Sequence, residues 1–252
     1  TINRIITEVL SKPKAEKIAS NLADYIKALD EAGINKEVII ASVDYILSQT
    51  NANAILKVVS EPAAARAITD LIGGLREAGV LESDIIIIIN QVVIKDDVKK
   101  TATKLTKLAG ELKVIGLSAA DITLRLNETL EQTRPGEVAD GQTEYIHALR
   151  DLGVSGAIIA ANIAYILTQA NPEEILARLL KSGVAQSIDT LITIELGNAG
   201  LSEAQIIAIV NIVTTNTEPK QLAQSVSGLS MALAGVDGIE ASTINRIITD
   251  VL

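Results

Sequence analysis

Apolar residues in this chain recur three and four positions apart. Ile244, Ile247, Ile248 and Val251 are one instance, and that spacing puts them along one face of a helix. The stripes are interrupted by a Gly, usually followed by an aliphatic residue, then a polar or small stretch, then an Ile-rich segment. The interruptions fall at Gly33, Gly79, Gly116, Gly153, Gly200 and Gly238. Gly at the end of ALDEAG or LREAG can take the left-handed conformation that closes a helix. Asn35, Ser118, Ser155 or Ser202 then offers an N-cap oxygen, and Ser202-Glu-Ala-Gln205 has the form of a capping box. Pro13, Pro62, Pro135, Pro172 and Pro219 stand at junctions, where a missing N–H costs a helix least. The pattern predicts an all-α chain of two helices per Gly-led subunit, with a short additional helix near 53–60 and 172–181. That makes about fourteen helices and no strands.

The same pattern repeats on two longer scales. TINRIITEVL at Thr1–Leu10 returns as TINRIITDVL at Thr243–Leu252, with only Glu8 and Asp250 differing. Within that period Tyr25 matches Tyr145 and Tyr45 matches Tyr165, each 120 residues on. Across Tyr25–Leu56 and Tyr145–Leu176, 14 of 32 positions are identical. The chain therefore reads as two diverged halves: a first helical bundle over 1–117, a second over 118–242, and the start of a further tandem unit at 243–252. An open α-solenoid of stacked helix pairs is the alternative architecture.

One segment stands apart from the helical pattern. Ile85–Ile89 is five isoleucines in a row, continued by Val92, Val93 and Ile94. Taken locally it is strand-like. The register of the repeats favours a helix buried on all sides, leaving open whether Ile85–Ile94 pairs as β-structure once the bundle opens. Thr190–Leu196 (TLITIEL) is a weaker segment of the same kind.

Composition narrows the functional classes. Hydrophobic residues make up 48% of the 252 and aromatics 2%, with no Phe or Trp, so the interior must be built from Ile, Leu, Val and Ala. A net charge of −9 argues against nucleic acid, whose phosphates are bound by clustered Lys and Arg, and against an anionic membrane surface. It suits solubility at high concentration. No run of about 18 uninterrupted apolar residues occurs, so no transmembrane helix is expected. With one His and no Cys there is no metal-ligand spacing, and His147 reads as a surface residue. The pairs Asp96-Asp97 and Glu173-Glu174 stand near predicted helix N-termini, where the helix dipole favours negative charge. Gly73-Gly74 lacks the setting and the Lys of a phosphate loop and suits close helix packing. Asn127-Glu-Thr is formally a glycosylation sequon, but inside a predicted helix. Asn3, Asn90, Asn127, Asn211 and Asn245 recur among aliphatics, where an Asn either fixes register between helices or marks a wetter edge. The four tyrosines read as rim-of-core residues with a wet hydroxyl. No catalytic, cofactor-binding or metal-binding residue is assigned, and no cofactor or small-molecule substrate is expected.

Glu174–Leu252 carries EEILARLLKSGVAQSIDTLI, then LGNAGLSEAQIIAIVNIV, then LAQSVSGLSMALAGVDGIEASTINRIITDVL. This order resembles the helical repeat domains of spider silk proteins (spidroins), especially the aciniform and tubuliform kinds, although those are richer in Ser and Ala and poorer in charge. The resemblance implies a secreted, extracellular structural protein whose partners in the fibre are copies of itself. Two other classes compete: a cytoplasmic helical scaffold of HEAT or armadillo type that binds protein partners, and a carrier of apolar ligands.

Overall fold

The computed structural model describes residues 3–252 in full and Ile2 in its backbone. It is all-helical, with no strand among the described residues. Among the described residues there are fifteen α-helices and one π-helical segment, beside the roughly fourteen helices expected. Contacts divide the chain into two compact units, one running to Gly110 and resuming over Ser118–Ala139, the other made of Glu111–Leu117 and Asp140–Leu252.

The first unit holds α1 (Ile2–Leu10), α2 (Ala15–Glu31), α3 (Lys36–Ser48), α4 (Ala52–Val59), α5 (Pro62–Glu77) and α6 (Glu82–Val92). It also takes α7 (Val98–Val114) as far as Gly110, α8 (Ala119–Leu130) and the opening of α9 (Pro135–Asp151). Helix α2 packs on α3, α4 and α5, while α6 is held by α3, α5 and α8. The second unit takes α9 from Asp140, then α10 (Gly156–Leu167), α11 (Pro172–Leu179) and α12 (Val184–Asp189). The π segment Thr190–Leu196 follows, then α13 (Glu203–Thr215), α14 (Pro219–Ala234) and α15 (Ala241–Val251). Here α10 packs on α13, and α14 on the π segment, α12 and α15.

Helix ends follow local chemistry. All six Gly that open the subunits have φ between 70 and 95°, and Gly183 of the Ser-Gly-Val turn joins them at 76°. Asn35 Oδ1 accepts from Val38 N at 2.9 Å, Ser118 Oγ from Asp121 N at 3.2 Å and Ser155 Oγ from Ile158 N at 3.4 Å. Ser202 N donates to Gln205 Oε1 at 2.9 Å, the return arm of the capping box. Pro62, Pro135, Pro172 and Pro219 each begin a helix.

Two readings of the sequence need correction. The isoleucine run is helical, but it is not buried on all sides. Ile85, Ile88, Ile89, Val92 and Val93 enter the core, whereas Ile87 and Ile94 reach solvent. Ile87 lies on the outer face of α6, and Ile94 in the turn that follows it. The second correction concerns the tyrosines. Tyr25 and Tyr145 are fully buried, so only Tyr45 and Tyr165 sit at a rim.

Candidate functional site

The polar groups that the fold treats most carefully are inside it. Tyr25 on α2 lies 17 residues before Ser42 on α3, and their hydroxyls are 2.9 Å apart in a buried hydrogen bond. Tyr145 on α9 lies 17 residues before Asn162 on α10 and donates to Asn162 Oδ1 at 2.9 Å. Both pairs exist because an oxygen on a buried phenol must find a partner or lose its hydration uncompensated. Burial pushes the Tyr25 phenol up to about 12, against a smaller downward pull from the Ser42 hydrogen bond, and burial raises Tyr145 as well.

The second-unit network reaches further. Asn162 Nδ2 donates to Asn211 Oδ1 at 2.8 Å and to Thr214 Oγ1 at 2.9 Å, while Thr214 Oγ1 donates to Val210 O at 2.8 Å. One amide thus ties α10 to α13. In the first half the matching positions are Ser42, Asn90 and Val93. A serine has no amide to give, and Asn90 Oδ1 is buried without a hydrogen-bond partner.

Of the recurrent asparagines, Asn211 therefore bonds across a helix pair, and so does Asn127, whose Oδ1 accepts from Gln91 Nε2 at 3.1 Å. Asn3 is exposed and Asn245 half-buried. The Asn127 sequon lies within α8, half-buried. His147 is exposed, with Nε2 3.3 Å from Asp151 Oδ2 one turn on. Asp97 Oδ1 accepts from Lys100 N at 2.9 Å and so caps α7, and Glu173 and Glu174 lie in the first turn of α11. A Cβ at Gly74 would stand 3.2 Å from Thr106 Cγ2, so this glycine does allow α5 and α7 to approach closely; around Gly73 the space is open.

The surface offers clefts of different character. One of about 770 Å³ between α2 and α5 is charged, with Asp24, Lys27, Glu31 and Arg66 on its walls. One of about 410 Å³ carries Arg178, Lys181 and Lys220 beside the start of α14. A third, of about 350 Å³, is almost wholly apolar and runs between α1 and α2. Among the described residues no three His, Cys, Asp or Glu side chains gather as a metal site would require, and no helix is long and apolar enough to cross a membrane.

Sequence reasoning missed two features. The segment Thr190–Leu196, strand-like in composition, is π-helical, and Ser230 Oγ from α14 donates to Glu195 O within it at 3.2 Å. The signal for the buried tyrosine pairs is a polar residue at positions 42 and 162, each flanked by aliphatic residues. Comparison with family models and with curated proteins found no match to this chain.

Proposed function

We propose that this chain is a structural repeat of a secreted, silk-like fibre protein, whose partners are copies of itself and which carries out no catalysis. The observation that carries the reading is the return of Thr1–Leu10 as Thr243–Leu252 at an offset of 242, on top of an older duplication. Near-identity at that distance is what tandem copies of one unit produce, and tandem copies are a means of building length. The acidic balance keeps such units apart at storage concentration, and an aliphatic helical interior gives each a folded storage form. A buried phenol network is a structural device in this reading: it fixes which helix faces meet, as a buried polar residue does in a coiled coil.

The test is assembly. Concentrated protein is drawn or dried into fibre, and amide infrared bands are recorded before and after. Formation of insoluble fibre, with part of the helical band retained, supports the reading. A protein that remains soluble and monomeric under shear, dehydration and added salt refutes it, as does a parent reading frame with a single copy of the unit.

A further inference from the structure

The repeated decapeptide occurs twice in this structure, and its two copies bury different sides. Its apolar residues form two rows along the helix, each with four-residue spacing: Ile2, Ile6 and Leu10 in one, Ile5 and Val9 in the other. In α1, which packs on α2 and α3, Val9 is buried while Ile6 and Leu10 are 50% and 71% exposed. In α15, which packs on α14 and α13, the pattern inverts. Ile244 and Ile248, the counterparts of Ile2 and Ile6, are buried, while Val251, the counterpart of Val9, is 68% exposed. The polar residues agree. Arg4 pairs with Asp44 of α3, whereas its counterpart Arg246 points to Asp250 of its own helix at 3.3 Å.

Helix α8 shows what an interior copy does. It begins after Gly116 as α15 begins after Gly238, which aligns Ile122, Leu126 and Leu130 with the first row and Thr129 with Val9. All four are fully buried. One helix at this place in the repeat therefore buries both rows at once.

We infer that the decapeptide helix is a shared joint: in an array, the last helix of one unit is the first helix of the next. Its Ile244–Ile248 row is clamped by α13 and α14 of its own unit, and its Val251 side, with Arg246, by α2 and α3 of the following unit. The apolar groove of about 350 Å³ between α1 and α2, walled by Ile6, Leu10, Ala19, Leu22, Ala23 and Ile26, is then the seat of α14 from the preceding unit. Successive units are locked through a common helix and are not beads on a slack linker. The inference rests on reading the chain as one unit of a tandem array.

The test compares the 252-residue chain with a two-unit chain in which residues 11–252 follow directly on residues 1–252. Amide exchange of TINRIITDVL at the junction is expected to be about tenfold slower or more than at the terminus of the single unit. In the single unit Ile248→Ala and Val9→Ala should lower the thermal midpoint while Val251→Ala and Ile6→Ala leave it unchanged. In the two-unit chain Val251→Ala at the junction should become destabilising. Junction exchange as fast as at the free end, with Val251→Ala still silent, overturns the joint. So does a lipid that co-purifies in the α1–α2 groove and stays there in the two-unit chain. A locked junction in a protein that never forms fibre would sink the fibre reading and leave the joint standing.

Discussion

Replacing Asn162 by serine should make the second unit resemble the first, and the loss can be worked out group by group. Tyr145 keeps a partner, because a serine hydroxyl pairs with the Tyr25 hydroxyl at 2.9 Å. Thr214 stays satisfied through its donation to Val210 O. What is lost is the donor to Asn211 Oδ1, leaving an acceptor in the state of Asn90 Oδ1. An orphaned polar group costs about 1–3 kcal/mol, and Asn211 is only half-buried, which places the expected loss toward the low end of that range. Asn162→Ala removes the partner of the Tyr145 hydroxyl as well and should cost a further 1–3 kcal/mol or about that.

Urea denaturation followed by amide exchange reads this out unit by unit. Protection in α10 and α13 reports the second unit, and protection in α3 and α6 serves as internal control. With a urea slope of about 1–3 kcal/mol per molar, the serine variant should shift the α10 and α13 transition by about 0.3–1 M and the alanine variant by about two to four times that. The reciprocal change, Ser42→Asn with Val93→Thr, should give Asn90 its missing donor and raise first-unit stability by about 0.5–1.5 kcal/mol. An alanine variant no worse than serine would show that the phenol does not need Asn162. A destabilised reciprocal variant would show that the two halves are not interchangeable at this level.

Three further outcomes are expected. The fold holds both buried phenols protonated, so the native chain retains protons that the unfolded chain releases above about pH 10. Stability is thus complete below that pH and falls as pH rises toward about 12 for Tyr25, by about 1.4 kcal/mol per pH unit for each phenol. Urea midpoints at rising pH will measure it, and a Tyr25→Phe, Tyr145→Phe variant with the same alkaline loss would refute it. Gly73→Ala, in open space on α5, should stabilise by about 0.5–1 kcal/mol. Gly156→Ala, whose Cβ would fall 2.0 Å from Ile115 O, should destabilise by about 2–3 kcal/mol in thermal unfolding. Finally, the folded protein should resist glycosylation at Asn127 by an added oligosaccharyltransferase, as intact mass will show, because the side chain is half-buried within α8 with its Oδ1 held by Gln91 Nε2.

What could be read from the chain is what local chemistry decides. A Gly followed by a capping Asn or Ser stops one helix and starts another within a few residues, so Gly33-Ile-Asn35 and Gly153-Val-Ser155 were legible without tertiary knowledge. The short helices α4 and α11 followed from the duplication. Tyrosine burial was not legible from its own helix, because what makes it tolerable is a hydroxyl or amide on the next helix, 17 residues away. The isoleucine run shows the intermediate case. Repeat register gave the helix, but which of its residues face outward depends on α3, α5 and α8.

That same run bears on how a helical store could become a fibre. For Ile85–Ile94 to pair as a strand its backbone N–H and C=O groups must leave the helix ladder, since α-helical and β-sheet hydrogen bonds use the same donors. Leaving is not a local event here. Ile85, Ile88, Ile89, Val92 and Val93 are buried against the first unit's core, so α6 cannot unwind without exposing side chains that hold α3, α5 and α8 together. The free energy needed is that of opening the unit, about 5–15 kcal/mol for a domain of this size, and no surface perturbation at Ile87 or Ile94 supplies it. Under the fibre reading, then, the most β-prone stretch of the chain is sequestered by its role in the core, and drawing or drying must unfold the unit before that stretch can pair.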